Sequence, residues 1–405
     1  MVNNDKNKLK IVMLCEFYSA NLEYQENLLT KYYTKHGYAV TVITSTFDSV
    51  FNYYAAKHNK NAPEEVFFDG SAKIIRLRYR FNLLNKIRIY TSIKNILIKE
   101  KPDLIYVHDI IPNILEAVDY MKSNSNCKMI MDYHADYSNS GKSWVALRIL
   151  HGTLRKWYLD RARRYISKIF PVVPAGLVFL NEIYKVPYEA MEVLPLGADV
   201  DLCKEIRNSG RLTSLKEKYN IDKEAKVIVT GGKLSSRKKT ELLIQAFDQL
   251  DIDNKHLIII GDSGEGDADY KEKLLAMVNV IKNVHFVGWL SREEVYAHFL
   301  ISTMAVFPAS QSILWQQAIA SGLPLLVGNT GGQSIEYLNL YKNIIILKKT
   351  DIEVEPILTN MQKVLMDDIL YEEMRQGAEK VAGEQLDWNQ LIYRTLRYNL
   401  DEKDM

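Results

Sequence analysis

Two stretches of this chain carry residue types that can hold a phosphate. Residues 229–240 read Val-Thr-Gly-Gly-Lys-Leu-Ser-Ser-Arg-Lys-Lys-Thr. A β-rich run delivers Gly231 and Gly232, then Lys233, then a polar loop with Arg237, Lys238 and Lys239. Glycines let a backbone approach a ligand closely. The cations can neutralise a diphosphate, and a helix starting near Thr240 would turn its N-terminal amides to the same loop. Alone, these residues also fit a solvated basic turn. Their place at the carboxyl end of a parallel strand favours a ligand.

The second stretch is residues 310–324, Ser-Gln-Ser-Ile-Leu-Trp-Gln-Gln-Ala-Ile-Ala-Ser-Gly-Leu-Pro. A polar turn opens a helix, and Gly322 and Pro324 close it. Free amides near Ser312, Ile313 and Leu314 would suit an anion. Gln316 and Gln317, one turn in, could hydrogen-bond hydroxyls. The same pattern is also that of a capped helix packed on a sheet.

The elements around these stretches alternate. In the first half, strands are expected at 10–15, 39–44, 104–108 and 128–134, with shorter extended pieces at 171–174 and 191–195. Helices are expected at 23–36, which ends at Gly37, and at 87–100, which stops before Lys101-Pro102. In the second half, strands at 226–230, 257–260, 284–287, 304–307 and 323–327 alternate with helices at 240–250, 270–281, 293–299 and 314–321. The last amphipathic pattern is 384–400. Strands separated by helices indicate parallel βαβ sheets. The chain has 405 residues, which suits two domains better than one core.

Apolar residues make up 47% and charged residues 25%, the balance of an ordinary soluble protein. No run approaches the ~20 apolar residues of a membrane helix, and the apolar stretch 11–15 is too short for a signal-peptide core. A cytoplasmic protein is expected. Cys15, Cys127 and Cys203 are scattered without metal spacing and read as reduced thiols. Asp262 and Glu265, in Gly-Asp-Ser-Gly-Glu-Gly, read as turn and cap residues.

Further motifs follow in order. They are His-Gly-Tyr-Ala-Val-Thr-Val-Ile-Thr at 36–44, Lys-Pro-Asp-Leu-Ile-Tyr-Val-His-Asp at 101–109, Met-Asp-Tyr-His at 131–134 and Val-Leu-Pro-Leu-Gly-Ala-Asp at 193–199. After the Gly-Gly-Lys loop come Ile-Ile-Ile-Gly-Asp at 258–262, Val-His-Phe-Val-Gly-Trp-Leu at 284–290, Val-Phe-Pro-Ala at 306–309 and Ala-Ile-Ala-Ser-Gly-Leu-Pro-Leu-Leu-Val at 318–327. In this order, over nearly the whole chain, they resemble glycosyltransferase family 4. The resemblance implies the GT-B fold: two Rossmann-like doubly wound domains facing a central cleft. An N-terminal acceptor domain would span 1–198, a nucleotide-sugar domain 199–383, and 384–405 would form a helix returning to the first domain.

The resemblance also implies roles. Lys233 and Lys238 match the family's basic pair that clasps the donor diphosphate, beside Gly232. Amides around Ser312, Ile313 and Leu314 would assist, and Gly288, Trp289 and Leu290 would lie near the base. His134 matches the histidine that reaches towards the transferred sugar; a strand-end histidine that only packs reads the same. Asn21, where the family usually has glycine beside the sugar phosphate, and Tyr24 lie in the loop after the first strand. The family's two glutamates, eight positions apart, are here Ala309 and Gln317. Gln317 can still meet ribose hydroxyls as a neutral partner, and Gln311 can reach the space that Ala309 cannot. Family members retain the anomeric configuration and need no metal, so the expected co-substrate is a nucleotide sugar, with uridine as the default base.

Charge distribution suggests the acceptor. Residues 76–101 hold eight basic side chains and one acid, with Tyr79, Phe81, Leu83 and Leu84 among them. Residues 148–168 hold seven and one. Over 148–170, Leu150, Leu154, Tyr158, Ala162, Tyr165, Ile166 and Ile169 give an amphipathic pattern. Such segments can lie on an anionic membrane, although a core-packed helix with a basic face has the same pattern. A glycan or polyprenyl-linked acceptor is expected. Three other readings remain. A non-catalytic nucleotide-sugar-binding subunit would explain the missing glutamates. A dinucleotide enzyme lacks its Gly-x-Gly-x-x-Gly turn after the first strand. Nucleic-acid binding lacks a recognised module.

Overall fold

The computed structural model describes residues 9–20, 24–47, 49, 53, 63–83, 86–141, 143–331 and 334–398. They fall into two compact units. One runs to Pro195 and resumes at Leu391; the other is Leu196–Gln390.

The first unit holds β1 (Lys10–Leu14), β2 (Ala39–Ser45), β3 (Glu65–Asp69), β4 (Ala72–Leu77), β5 (Tyr79–Leu83), β6 (Ile87–Tyr90), β7 (Leu104–His108), β8 (Lys128–Tyr133) and β9 (Ile166–Pro171). Seven of these form one sheet in the order β3-β4-β2-β1-β7-β8-β9. All its pairs are parallel except β3 with β4. Neighbours of β1 leave it in opposite directions along the sheet, so the topology switches between β1 and β7. The helix Trp388–Leu396 ends in this unit, where Leu391, Ile392 and Leu396 are buried. Arg394 holds it there through Glu192 at 2.9 Å.

The second unit holds β10 (Lys226–Gly231), β11 (Lys255–Ile260), β12 (Val284–Gly288), β13 (Met304–Phe307), β14 (Leu325–Gly328) and β15 (Ile344–Leu347). They form one parallel sheet, β12-β11-β10-β13-β14-β15, which switches between β10 and β13. Its strands are apolar on both sides, as helices on both faces require. Val227, Val229, Ile258, Ile260, Ala305 and Phe307 pack on one face. Ile228, Leu257, Ile259, Met304 and Val306 pack on the other. The alternation is the pleat itself.

Two segments differ from the sequence expectation. Residues 87–100 are not one helix. Ile87–Tyr90 pairs antiparallel with Tyr79–Leu83, and the helix is only Lys94–Glu100. The β-branched Ile-Arg-Ile run suits a strand. Glu116 then accepts from Ile93 N at 3.1 Å and fixes the chain at the helix start. The segment 148–170 is also divided. Its helix gives way to a short 3₁₀ turn ending at Tyr165, and Ile166–Pro171 is β9. Ile169 is therefore in the core.

A chain of rings braces the outer edge of the second sheet. His256 Nδ1 lies 3.1 Å from His285 Nε2 on the neighbouring strand. Tyr219 OH lies 3.1 Å from His298 Nε2, and its ring is 4.7 Å from that of His285. Burial, then the neighbouring His256 and His298, holds His285 down to about 4 from an ordinary 6.5. Between these values the unfolded chain takes a proton that the fold refuses, so stability rises with pH across that window. The urea midpoint should drop from pH 7 to pH 5, and His285→Gln should flatten the slope. An unchanged slope would show that this ring does not carry the effect.

Candidate functional site

In the second unit the chain parts at the switch between β10 and β13, where open parallel sheets take ligands. Gly231 ends β10 because nothing larger fits: a Cβ there would stand 2.6 Å from Ile260 O. Gly232 follows at φ +113. A Cβ on Gly232 would meet Lys238 Nζ at 3.3 Å and Ser312 Oγ at 3.6 Å. Lys238 Nζ donates to Gln311 O at 3.3 Å. The structure thus brings Gly232, Lys238, Gln311 and Ser312 to one point. Burial pulls the Lys238 ammonium down to about 8 from an ordinary 10.5. Among the described residues it has no carboxylate partner.

Lys233 goes elsewhere. Its side chain is exposed and lies over Gly264, where a Cβ would meet its Nζ at 2.7 Å. Lys238, by contrast, lies over Gly232. Of the amides expected to be free, that of Leu314 already donates to Ser312 Oγ at 3.3 Å. Ser312 reaches this position after Ser310, whose φ is +62. Ile313 is half-exposed. Leu314 packs beneath Gly231. Gln316 is buried and donates to Tyr337 OH at 3.2 Å, and its own Oε1 is buried without a hydrogen-bond partner. Gln317 keeps a buried Oε1 with no hydrogen-bond partner. Ala309 is buried. Gly288, at φ +69, accepts from Gly261 N at 2.7 Å; Trp289 beside it is exposed, and Leu290 faces a groove shared with Tyr219 and His298.

The first unit gathers a second set at its own switch point. Cys15 and Glu16 follow β1, His108 ends β7, and Asp132 and His134 sit at the end of β8. Asp132 is fully buried. Its Oδ2 accepts from Tyr106 OH at 2.9 Å and lies 2.9 Å from His108 Nδ1. Its Oδ1 accepts from Asp109 N at 3.1 Å and lies 3.7 Å from His134 Nε2. The rings of His108 and His134 are 4.4 Å apart. An Asx turn fixes the loop after His134, with Asp136 Oδ1 accepting from Ser138 N at 2.7 Å. Asn21 and Leu84 lie outside the described residues. Tyr24 stands half-exposed before the helix Gln25–Lys35.

A cavity of about 180 Å³ adjoins this set, lined among others by Glu16, Glu26, Arg88, Asp109 and Arg155. Arg88 pairs with Glu16, and Arg155 lies 4.0 Å from Asp109. Arg88 Nη1 is buried without a hydrogen-bond partner. Burial raises Glu16 and Glu26 above the usual carboxylate range, against the pull of Arg88 and His108 respectively. Carboxylates and guanidiniums facing one small space can accept from and donate to the hydroxyls of a sugar.

Comparison with known proteins places this geometry. The profile described as Glycosyltransferase Family 4 matches residues 27–202. The profile described as Glycosyl transferases group 1 matches residues 213–381. The chain belongs to glycosyltransferase family 4. A lipopolysaccharide 1,2-N-acetylglucosaminetransferase of Salmonella typhimurium is 27% identical over 176 residues, 40% of this chain and 45% of the relative. A GDP-mannose-dependent phosphatidylinositol monomannoside mannosyltransferase of Mycobacterium tuberculosis is 25% identical over 158 residues, 36% of this chain and 40% of the relative. The chain thus matches less than half the length of these two curated relatives. The crystal structure of an Anabaena protein, HepE, in complex with UDP aligns with a TM-score of 0.66 at 16% identity, covering 96% of this chain and all of that one. The two units are the two Rossmann-like domains of the GT-B fold.

In this family 4 chain, sequence reasoning finds His134 and misses its neighbours. His108 and Asp132 are within its reach, because Val-His-Asp and Met-Asp-Tyr-His both end parallel strands. Glu16, Arg88 and Arg155 carry no such mark. His108, Asp132 and His134 offer atoms within 4.8 Å of one another, a spacing that suits a divalent cation. A cation there would have to displace the His108 proton. Burial opposes that proton, but Asp132 and then Glu26 and Asp109 hold it, so His108 is pushed up to about 10 from 6.5. The pair therefore contributes its full stability below about 6.5 and loses it as pH climbs towards 10. Histidine-selective NMR should show His108 protonated at pH 8, and Asp132→Asn should return its titration to the ordinary range or below. An unmoved titration in Asp132→Asn would remove Asp132 as the cause.

Proposed function

We propose that this protein is a retaining glycosyltransferase that moves a sugar from a nucleotide sugar, with UDP as its carrier, to a glycan or lipid-linked glycan. The observation that carries this reading is the Gly232–Lys238–Ser312 point. A partly desolvated ammonium faces a bare backbone at a switch point, and an arriving diphosphate would restore its charge. The relatives support the donor class: one is a lipopolysaccharide N-acetylglucosaminetransferase, another is GDP-mannose-dependent, and HepE was crystallised with UDP.

In the reaction, an acceptor hydroxyl oxygen bonds to the anomeric carbon on the face that the diphosphate leaves. The bond from that carbon to the diphosphate oxygen breaks, and a diphosphate oxygen takes the hydroxyl proton. Lys238 stabilises the growing negative charge, and Lys233, long and exposed, swings in to join it. Backbone amides at Ser312 and Ile313 add to them. Trp289 and Leu290 would lie by the base, and Gln317 Oε1, an acceptor without a donor, would meet a ribose hydroxyl. His134, Tyr24 and Asn21 would lie on the acceptor and sugar side. No step needs a metal. The acceptor would be a surface-polysaccharide intermediate, of the lipopolysaccharide or capsule kind, carried on a polyprenyl lipid. The protein would work in the cytoplasm, peripherally at the inner face of the membrane. No helix among the described residues is long and apolar enough to cross a membrane.

Ala309 and Gln317 favour a second reading, a subunit that binds nucleotide sugars without transfer. One experiment separates the two. Nucleotide release is followed over a panel of nucleotide sugars, with and without a polyprenyl-diphosphate-sugar extract. Release from one donor, reduced at least about 100-fold in Lys238→Ala and less in Lys233→Ala, is the expected result. The donor KM should rise above pH 8 as Lys238 loses its proton, and Lys238→Arg should remove that rise. Binding without release across the panel would establish the non-catalytic reading.

A further inference from the structure

The helix over residues 144–162 carries a surface that neither candidate site uses. Its middle, Ala146–Arg155, is wound as a π-helix. Lys156 N donates to His151 O, and Thr153 Oγ1 to Arg148 O, five residues back in each case. Gly152 sits inside the wide turn, where a Cβ would stand 2.8 Å from Leu147 O.

The winding decides which side chains share a face. At roughly 4.4 residues per turn, each residue turns the helix by about 80°. Trp144, Ile149, Thr153 and Leu154 then fall within an arc of about 100°, and the α-helical turn that follows places Trp157 and Arg161 in the same arc. Regular α-winding would keep Ile149, Thr153, Trp157 and Arg161 on one stripe but turn Trp144 away from it. The opposite side fits the same geometry: His151, Leu159 and Ala162 are buried, and His151 Nδ1 lies 2.7 Å from Tyr184 OH. The outward arc is open. Trp144 is 68% exposed, Ile149 47% and Trp157 45%. Val145 widens it, at 59%. Arg148 is exposed at its edge, and the Arg161 guanidinium lies 4.1 Å from the Trp157 ring centre. Of the apolar positions that suggest amphipathicity in the sequence, Ala162 and Ile169 belong to the core and Tyr158, Tyr165 and Ile166 pack against it.

Exposed tryptophans beside arginines suit the headgroup level of a lipid surface, where rings sit at the boundary and guanidiniums meet phosphates. A second copy of this chain would bring its own basic segment against this one, and like charge opposes that. We propose that the π-wound stripe of Trp144, Ile149 and Trp157, flanked by Arg148 and Arg161, docks this protein on an anionic lipid surface. The proposal rests on the peripheral-membrane reading of its function and gives it an address. The same helix turns Arg155 inward to the charged cavity. One element therefore both meets the lipid and lines the pocket suited to a lipid-linked sugar.

The test is co-sedimentation at low salt with vesicles of phosphatidylglycerol in phosphatidylcholine, against phosphatidylcholine alone. Wild type is compared with Trp144→Ser/Ile149→Ser/Trp157→Ser, and with Ile98→Ser/Val178→Ser, which removes exposed apolar groups elsewhere in the same unit. The expected result is preference for the anionic vesicles, weakened at least about tenfold in the triple variant and unchanged in the control. Quenching of tryptophan fluorescence by brominated phosphatidylglycerol gives a second readout in folded protein, and Trp144→Phe/Trp157→Phe should reduce it. Wild-type binding with no loss in either stripe variant would overturn the stripe and leave the membrane reading standing. No wild-type binding would overturn both. A concentration-dependent dimer dissolved by the triple variant would assign the face to a second copy.

Discussion

The central strands of both sheets are apolar on both sides because both faces are covered by other elements. Nothing polar can project from such a face without losing its hydration. Chemistry is therefore confined to the strand ends, and among those ends to the place where connections diverge and leave room. In the second unit that place lies between Gly231 and the turn after Phe307. In the first it lies between Glu16 and His108. The glycines, the buried carboxylate and the displaced lysine are consequences of this confinement. Gly231 has no side chain because Ile260 O occupies the space that one would need. Asp132 is tolerated at zero exposure because four groups surround its two oxygens.

The two switch points solve the burial of charge in opposite ways. Asp132 and His108 form a pair whose members hold each other charged, with Tyr106 and a backbone amide completing it. Such a pair is already satisfied and gains little from a ligand. Among the described residues Lys238 has only a carbonyl, and its lowered pKa records a charge that they do not compensate. It gains from any anion. The first arrangement fits a rigid platform under an acceptor, and the second fits an anion site that is ready before the anion arrives.

Much of this is legible in the sequence. Strands at 39–44, 226–230 and 304–307 are short β-branched or apolar runs between turn signals, and each is a strand within a residue or so at its ends. The alternation with helices is enough to expect two doubly wound sheets. Residues 87–100 mislead because a basic, apolar stretch suits a helix face and a hairpin strand equally, and Glu116, far along the chain, decides. The π-turn at Ala146–Arg155 misleads for a different reason. A period of 3.6 residues per turn puts Leu154 on one face with Tyr158 and Ala162, whereas Leu154 is turned outward and the other two meet the core. Gly152 is the available sign. In the site, side chains that act beside their own strand can be found from sequence, whereas Arg88 and Arg155 enter from a hairpin and a helix whose approach no local pattern records.

The family's glutamates are Ala309 and Gln317 here, and the structure gives that exchange a physical meaning. Both lie close in sequence to Gln311, whose carbonyl receives Lys238. The Lys238 ammonium has no carboxylate partner among the described residues, and burial lowers its pKa. The loss falls on the sugar. A buried alanine offers no acceptor to a sugar hydroxyl, and the orphaned Oε1 of Gln317 offers one where a carboxylate offers two. In the proposed reaction, discrimination among donor sugars would then fall to Gln311 and to groups outside this turn. The cavity of Glu16, Glu26 and Asp109 sets carboxylates around open space, and it lies in the unit that the proposed reaction assigns to the acceptor.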